Sequence, residues 1–190
     1  MTNAERLRLF FALWPDDRVR GELVAVVNRL RSSVSAKWVN TDKLHMTLAF
    51  LGDVEAGRLT ALESVADLLD GPAFELTLDR IELWRKPGIV CLGSSTPPEA
   101  LNILAAGLAK NLRAAGFELE TRPFRAHLTL ARKARHLSAN PELAVPVRWS
   151  VASFCLVQSR IDRQGSHYEI LRDWPLPASS RTMPDGVSMK

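Results

Sequence analysis

Two short segments of the chain repeat the same arrangement of a histidine and a threonine. His45 and Thr47 stand in an apolar run from Leu44 to Leu51, and His127 and Thr129 stand in a second such run. Successive side chains of a β-strand point to opposite faces, so the histidine and threonine of each segment share a face. The sequence therefore predicts two strands that each present an imidazole and a hydroxyl toward a cleft.

Two imidazoles on opposite sides of one reacting atom can divide the roles of general base and general acid, because their ordinary pKa lies near 6.5. Phosphoryl transfer suits this layout, since the entering and leaving oxygens lie roughly in line across phosphorus. The hydroxyls of Thr47 and Thr129 would then bind the non-bridging oxygens. Arg132 follows His127 closely enough to place its guanidinium on the same phosphate. The residues alone leave open which histidine is the acid.

The sequence contains no HxH pair, no HExxH motif and no Asp-rich constellation of the kind used by two-metal phosphodiesterases. We therefore expect neither a metal nor another cofactor. A reaction without a metal favours an ester that is easy to open, such as a strained five-membered cyclic phosphate. Cys91 and Cys155 lie in apolar runs without CxxC spacing, which indicates buried thiols.

The order of predicted elements indicates an α+β fold with two pseudo-symmetric lobes. Each lobe would be an antiparallel sheet with helices on its outer face, and the histidine strands would face each other across a central cleft. Helices are predicted for 16–31, 54–69 and 98–116. Strands are predicted for 8–13, 37–39, 44–51, 74–79, 81–85, 89–92, 117–121, 124–132, 145–160 and 168–171, with Gly52 and Asp53 ending the first histidine strand.

Composition is that of a soluble globular protein, with 190 residues of which 46% are hydrophobic and 24% charged. We expect one bilobal domain over 1–176 and a flexible tail over 177–190. No apolar run is long enough to cross a bilayer and the N-terminus is not signal-like, so a cytoplasmic monomer without a membrane partner is expected. The net charge of +4 favours polyanionic partners only mildly.

The histidine segments and their neighbours resemble the two-histidine (2H) phosphoesterase superfamily, within it the RNA 2',3'-cyclic phosphodiesterases, long called 2'-5' RNA ligases. The resemblance rests on both His-x-Thr-Leu segments and covers roughly residues 6–176. The flanking blocks that carry it are RLFFAL from Arg8, FLGD from Phe50, Ala131 with Arg132, and a C-terminal hairpin over 154–174 containing Ser159, Gly165 and Tyr168.

This resemblance implies hydrolysis of an RNA 2',3'-cyclic phosphate to a 2'-phosphomonoester, with reversible 2'-5' joining of RNA ends in some members. It implies that His45 donates a proton to the leaving 3' oxygen and that His127 is the base for the attacking water. Thr47, Thr129 and Arg132 would be phosphate ligands. The expected partners are RNA ends that carry a 2',3'-cyclic phosphate, tRNA fragments among them.

Two other functions fit the same residues. One is a 2H enzyme that acts on another substrate, such as ADP-ribose cyclic phosphate, a 2'-5' oligonucleotide or a U-tailed RNA. The other is a non-catalytic protein that holds the terminal phosphate of an RNA. Substrate profiling separates the first, and binding that survives loss of the histidines would indicate the second.

Several other residues have ordinary structural explanations. A surface or structural role is expected for His136 and His167. Lys133 and Arg135 are expected to lie in a solvated loop, and a role in binding the RNA backbone is a weaker hypothesis for these two residues. Tyr168 is a candidate for stacking on a base. Packing is the expected role of the remaining aromatic residues considered, which are Phe10, Phe11, Phe50, Trp38, Trp84, Trp149 and Trp174.

Overall fold

The computed structural model describes residues 5–137, 143, 145–162 and 165–178. The helices in these ranges are α1 (Asp17–Arg31), α2 (Leu59–Asp67) and α3 (Glu99–Ala114), with short 3-10 turns at Thr41–Lys43 and Ala56–Arg58. The strands are β1 (Arg6–Leu13), β2 (Lys37–Trp38), β3 (Met46–Glu55), β4 (Phe74–Leu78), β5 (Arg80–Trp84), β6 (Ile89–Gly93), β7 (His127–Arg132), β8 (Val147–Val151), β9 (Ser153–Asp162) and β10 (Gly165–Pro175).

The main sheet is antiparallel and has the order β10-β9-β1-β3-β7-β6-β5, with β2 paired to the end of β7. The two histidine strands are its central neighbours, and they pair at a single position, Met46 with Leu128. This junction divides the sheet into one lobe of β10, β9, β1 and β3 and another of β7, β6, β5 and β2. The predicted α+β, bilobal arrangement is confirmed, and its histidine strands lie side by side where the lobes meet.

The alternation of the histidine strands sorts their side chains as predicted. Met46, Leu48, Leu128 and Leu130 are buried in the main core together with the apolar stripes of all three helices. The opposite face of the sheet carries the histidines and threonines, and we call it the site face. Because both strands bury the same alternate positions, the core packing fixes which side chains reach the site face.

The first histidine strand differs from its predicted bounds. It begins at Met46, one residue after His45, and continues past Gly52 to Glu55. Gly52 adopts a φ of +68°, and the register of β1 against β3 shifts at this point, so the glycine forms a bulge where an end was predicted. Val54 and Glu55, which were predicted to begin the helix over 54–69, therefore belong to the strand, and the helix begins only at Leu59.

The predicted strand over 117–121 is wrong, because this segment forms no sheet ladder. The amide of Phe117 donates instead to the carbonyl of Leu112 at the end of α3, and the Arg58 guanidinium lies 3.8 Å from the centre of the Phe117 ring. The predicted run over 145–160 is two strands, β8 and β9, and β8 leaves the main sheet to pair with β4. Most of the predicted tail, from residue 179 onward, lies outside the described residues.

Within the described ranges, no helix combines the length and apolar character that crossing a membrane requires. Cys91 and Cys155 are buried free thiols, as predicted. Burial raises the pKa of each thiol to about 12, so both stay protonated at neutral pH.

Replacement of Gly88 by alanine is expected to destabilise the fold by about 2 kcal/mol or more, the scale of a left-handed residue carrying a Cβ. Gly88 has a φ of +80°, and a Cβ there would meet the carbonyl oxygen of Ala134 at 2.8 Å. Its own carbonyl accepts from the Ala134 amide at 3.0 Å, which ties the β5–β6 hairpin to the chain just beyond Arg132. Urea denaturation measures the change.

Gly71→Ala is the matched control, because Gly71 has no positive φ and a Cβ there meets nothing within 4 Å. We expect this control to change stability by less than about 1 kcal/mol. Equal stability of the two variants would contradict the close approach at Gly88.

Candidate active site

Both histidines are held by the same local hydrogen bond. The Nδ1 atom of His45 lies 2.7 Å from the carbonyl oxygen of Lys43, and Nδ1 of His127 lies 2.7 Å from the carbonyl oxygen of Arg125. A carbonyl oxygen only accepts, so each Nδ1 carries the proton and donates. Each neutral imidazole therefore keeps the lone pair of Nε2 available for proton transfer.

The junction between the lobes brings the two histidine-threonine pairs together. Continuing the antiparallel register by one residue on either side of the Met46–Leu128 pair sets His45 in register with Thr129 and Thr47 with His127. Both threonines are half-buried on the site face. Within the described part of the chain, neither threonine hydroxyl has a hydrogen-bond partner, so both are free to bind a ligand.

An aromatic cage of Phe10, Trp14 and Tyr168 surrounds the imidazole of His45. Phe10 and Trp14 stack on the imidazole with ring centres 4.9 and 5.4 Å away, and Tyr168 meets it edge-on at 5.3 Å. The Tyr168 ring also contacts the other two cage rings edge-on. The cage fixes the orientation of the imidazole and removes it from most of the solvent.

His127 lies against a smaller and more polar set of groups. The Trp84 indole lies 4.4 Å from the imidazole between ring centres, and the Arg125 guanidinium covers the indole at 4.9 Å. Glu82 joins these two residues, because its Oε2 accepts from the Trp84 indole at 3.0 Å and from Arg125 at 2.9 Å. The Trp84 hydrogen bond and the nearby arginines lower the pKa of Glu82, so its carboxylate is ionised.

The environment favours the neutral form of both histidines. Burial lowers the pKa of His45 from 6.5 to about 4, and the positive charges of Arg132 and Arg20 add to this effect. Burial also lowers the pKa of His127, with contributions from Arg125 and Arg132 and an opposing one from Glu82. Since the charge of Arg132 acts on both imidazoles, its exposed guanidinium lies within electrostatic reach of the whole site.

We expect the folded protein to lose roughly 2–3 kcal/mol of stability from His45 alone between about pH 7.5 and 4.5. The unfolded chain binds a proton at this imidazole near pH 6.5, whereas the folded chain resists until about pH 4. The contribution is therefore complete above the unfolded pKa and is lost as the pH falls toward the folded one. Denaturant unfolding of wild type and His45→Asn at both pH values measures the difference, and an equal loss in the two proteins would contradict the pKa shift.

Comparison with known proteins places this geometry in a family. The model of the family described as LigT like Phosphoesterase matches the chain twice in succession, over residues 13–91 and 92–168, with one histidine segment in each match. The chain belongs to the LigT-like phosphoesterases. It is therefore an enzyme of the 2H phosphoesterase superfamily, and the two matches agree with the repeated histidine strand.

The chain matches individual LigT-like relatives over nearly the whole length of those relatives. A protein of Escherichia coli named RNA 2',3'-cyclic phosphodiesterase is 33% identical over 173 residues, which span 91% of this chain and 98% of the relative. A protein of the same name from Archaeoglobus fulgidus is 30% identical over 178 residues, spanning 87% and 98%. The crystal structure of E. coli LigT with 3'-AMP superimposes with a TM-score of 0.84 at 33% identity, covering 90% of this chain and 99% of that one.

The structure brings close together the residues that the sequence predicts for the candidate site. His45, Thr47, His127 and Thr129 lie together on the site face, Arg132 acts electrostatically on both histidines, and Tyr168 contacts His45. His136 and His167 are exposed, and His167 pairs with Asp162 at 3.1 Å. Phe10, for which packing is predicted, is only 3% exposed and packs on His45.

The sequence does not predict two tryptophans that lie beside the histidines of the candidate site. Trp14 has no predicted role and Trp84 is predicted only to pack, although each lies against a histidine. A usable signal was present two residues before each histidine, where Lys43 and Arg125 stand in matching positions. Both residues lie outside the strands, and it is their backbone carbonyls that accept from the Nδ1 atoms of the histidines.

In residues 5–137 and the described parts of 143–178, no group of three or more His, Cys, Asp or Glu side chains is arranged to hold a metal ion.

Proposed function

We propose that this chain, a cyclic phosphodiesterase by family, opens the 2',3'-cyclic phosphate at the 3' end of an RNA and leaves a 2'-phosphomonoester. The observation that carries the proposal is the matched anchoring of His45 and His127, each with Nδ1 on a backbone carbonyl and Nε2 free. The names and full-length coverage of the relatives support the choice of substrate.

In the proposed reaction, the Nε2 atom of His127 takes a proton from the attacking water. The Nε2 atom of His45 gives a proton to the leaving 3' oxygen as the bond between phosphorus and that oxygen breaks. The hydroxyls of Thr47 and Thr129 donate hydrogen bonds to the non-bridging oxygens. The planar guanidinium of Arg132 donates charge-assisted hydrogen bonds to the same oxygens, where negative charge is concentrated.

The lowered pKa values determine when His45 becomes protonated and can act as the general acid. In the free protein His45 is neutral at pH 7, because its pKa is about 4. A cyclic phosphate is an anion, and its charge between the imidazoles favours the protonated form of the neighbouring histidine. The same phosphate also neutralises the charge of Arg132, which holds both histidine pKa values down. Substrate binding therefore raises the pKa of His45, so that its imidazole takes up from solvent the proton that it later gives to the leaving 3' oxygen.

The direct test is incubation of the purified protein in EDTA with an RNA oligonucleotide that ends in a 2',3'-cyclic phosphate. We expect turnover to a product that carries its phosphate on the 2' oxygen and has a free 3' hydroxyl. A 3'-phosphate product would contradict the assignment of the leaving oxygen, and turnover that stops in EDTA would contradict the metal-free mechanism.

The other 2H substrates serve as comparison in the same assay. ADP-ribose cyclic phosphate, 2'-5' oligonucleotides and U-tailed RNA differ in what they attach to the phosphate. Folded protein that turns over one of these at least about tenfold faster than the cyclic-phosphate RNA, a difference of about 1.4 kcal/mol in transition-state binding, would replace the proposed substrate.

A further inference from the structure

Glu82 holds together the polar groups that surround His127. It lies on β5 two residues before Trp84, so both side chains leave the same face of that strand. One carboxylate oxygen accepts from the Trp84 indole at 3.0 Å and from the Arg125 guanidinium at 2.9 Å, and the other pairs with Nε of Arg80 at 2.9 Å. The side chain of Glu82 is only 23% exposed, so these contacts are partly shielded from water.

Two sets of contacts connect Glu82 to the imidazole of His127. The Trp84 indole that Glu82 binds lies 4.4 Å from the imidazole between ring centres. The guanidinium that Glu82 binds belongs to Arg125, whose backbone carbonyl accepts from Nδ1 of His127 at 2.7 Å. The same guanidinium lies 4.9 Å from the centre of the Trp84 ring. Loss of the carboxylate would therefore release both groups that orient the imidazole.

The charges around His127 differ in sign from those around His45. The groups that act on His127 include Arg125, Arg132 and Glu82, and of these the carboxylate favours a protonated imidazole. Around His45, the arginines that act on the imidazole oppose its protonation, as does His127. A histidine that takes a proton during the reaction becomes a cation, and a carboxylate within electrostatic reach stabilises that cation. The carboxylate thus lies beside the histidine that serves as the base in the proposed reaction.

We propose that Glu82 is a positioning residue for the general base, which holds the indole and guanidinium groups against His127 and stabilises by its negative charge the imidazolium formed when His127 takes a proton from water. This inference rests on the proposed function and on its assignment of the base. A carboxylate can stabilise an imidazolium without itself taking the proton. The lowered pKa of Glu82 keeps its carboxylate ionised, so the proton stays on the imidazole.

Glu82→Gln tests the charge with little change of shape, because an amide oxygen still accepts hydrogen bonds. We expect kcat for cyclic-phosphate hydrolysis to fall by about tenfold and KM to change by less than about threefold, since the change affects the base and leaves the phosphate ligands in place. In NMR titrations the pKa of His127 should fall below its wild-type value, because the carboxylate that raises it is gone. The pKa of His45 should stay unchanged.

Two further variants frame this result. Glu82→Ala also frees the indole and the guanidinium, and its kcat should fall further, by about 10²-fold in all, the low end of the contribution of a general base. Glu120→Gln is the matched control, because Glu120 is another glutamate that binds an arginine, Arg122, at 2.8 Å, and it is well exposed. This control should alter neither kcat nor the titration of either histidine.

A double-mutant cycle separates an effect through His127 from a general effect on the fold. Added to His127→Asn, Glu82→Gln should cause little further loss of kcat, because its effect passes through an imidazole that is already absent. A further tenfold loss in this double variant would overturn the proposal. Circular dichroism and thermal unfolding establish that each variant is folded before its kinetics are compared.

The titration of His127 gives the decisive result. An unchanged pKa of His127 in folded Glu82→Gln would overturn the positioning role and leave the proposed function standing. Equal shifts of the pKa values of both histidines would do the same, since the effect would not be particular to the base. Absence of hydrolysis by the folded wild-type protein would overturn the proposed function and the positioning role together.

Discussion

Replacing either His45 or His127 with asparagine is expected to lower kcat for cyclic-phosphate hydrolysis by about 10²–10⁴-fold, the usual contribution of one general acid or base. Asparagine places an amide N–H where Nδ1 lies, so it keeps the hydrogen bond to the carbonyl of Lys43 or Arg125. It has no group at the position of Nε2. Initial rates with a cyclic-phosphate RNA, measured in EDTA, give the loss directly.

Loss of the fold is separated from loss of chemistry by circular dichroism and thermal unfolding of the same variants. His167→Asn is the control, since His167 lies in the C-terminal hairpin, exposed and paired with Asp162. The double variant of His45 and His127 should be little worse than either single variant, because the two groups act in one step. A folded single variant that retains more than about a tenth of the wild-type rate, a loss of only 1.4 kcal/mol, would contradict the mechanism.

Replacing Arg132 with alanine is expected to lower kcat/KM by about 10–10²-fold, the range for a lost hydrogen bond to a charged group. The guanidinium would no longer bind the phosphate. The pKa values of His45 and His127 should both rise, because the charge of Arg132 lowers them in the wild type. Steady-state kinetics measures the first effect, and NMR titration of the imidazoles measures the second.

Two variants give this prediction its controls. Arg132→Lys keeps the charge but loses the planar fork, so it should restore the low histidine pKa values more fully than the activity. Arg135→Ala removes another exposed cation three residues further along. A loss of activity in Arg135→Ala as large as that in Arg132→Ala would show that the loop acts through its overall charge.

The sequence predicts the two histidine strands well because their pattern is local. In each segment the alternation of polar and apolar side chains determines the buried face, and Met46, Leu48, Leu128 and Leu130 are buried as expected. The helix from Asp17 to Arg31 is equally local, with Asp16 accepting from the Val19 amide at 2.8 Å. Such features depend on neighbours within a few residues.

The surroundings of the histidines depend on contacts that the local pattern does not contain. Phe10, Trp14 and Tyr168 reach His45 from β1, from the residue just after it and from β10, and no spacing rule links these positions. The strands β1 and β10 flank β9 in the sheet, so Phe10 and Tyr168 come into contact although they are far apart in the sequence. The low pKa of His45 therefore follows from the topology.

The wrong boundaries have a similar origin. A glycine followed by an aspartate, as at Gly52 and Asp53, usually marks a strand end, but pairing with β1 carries β3 through a bulge to Glu55. The segment 117–121 has strand-like residues, yet its backbone and side chains are bound by α3 and Arg58. In both places long-range pairing overrides the local preference.

A leaving-group test addresses the division of roles between the two histidines most directly. A 2',3'-cyclic substrate with sulfur in place of the 3' oxygen has a leaving group that departs without protonation. We expect this substrate to restore near wild-type turnover to His45→Asn and to leave His127→Asn inactive, because only the acid becomes dispensable. Equal impairment of both variants, or rescue of His127→Asn instead, would contradict the assignment of His45 as acid and His127 as base.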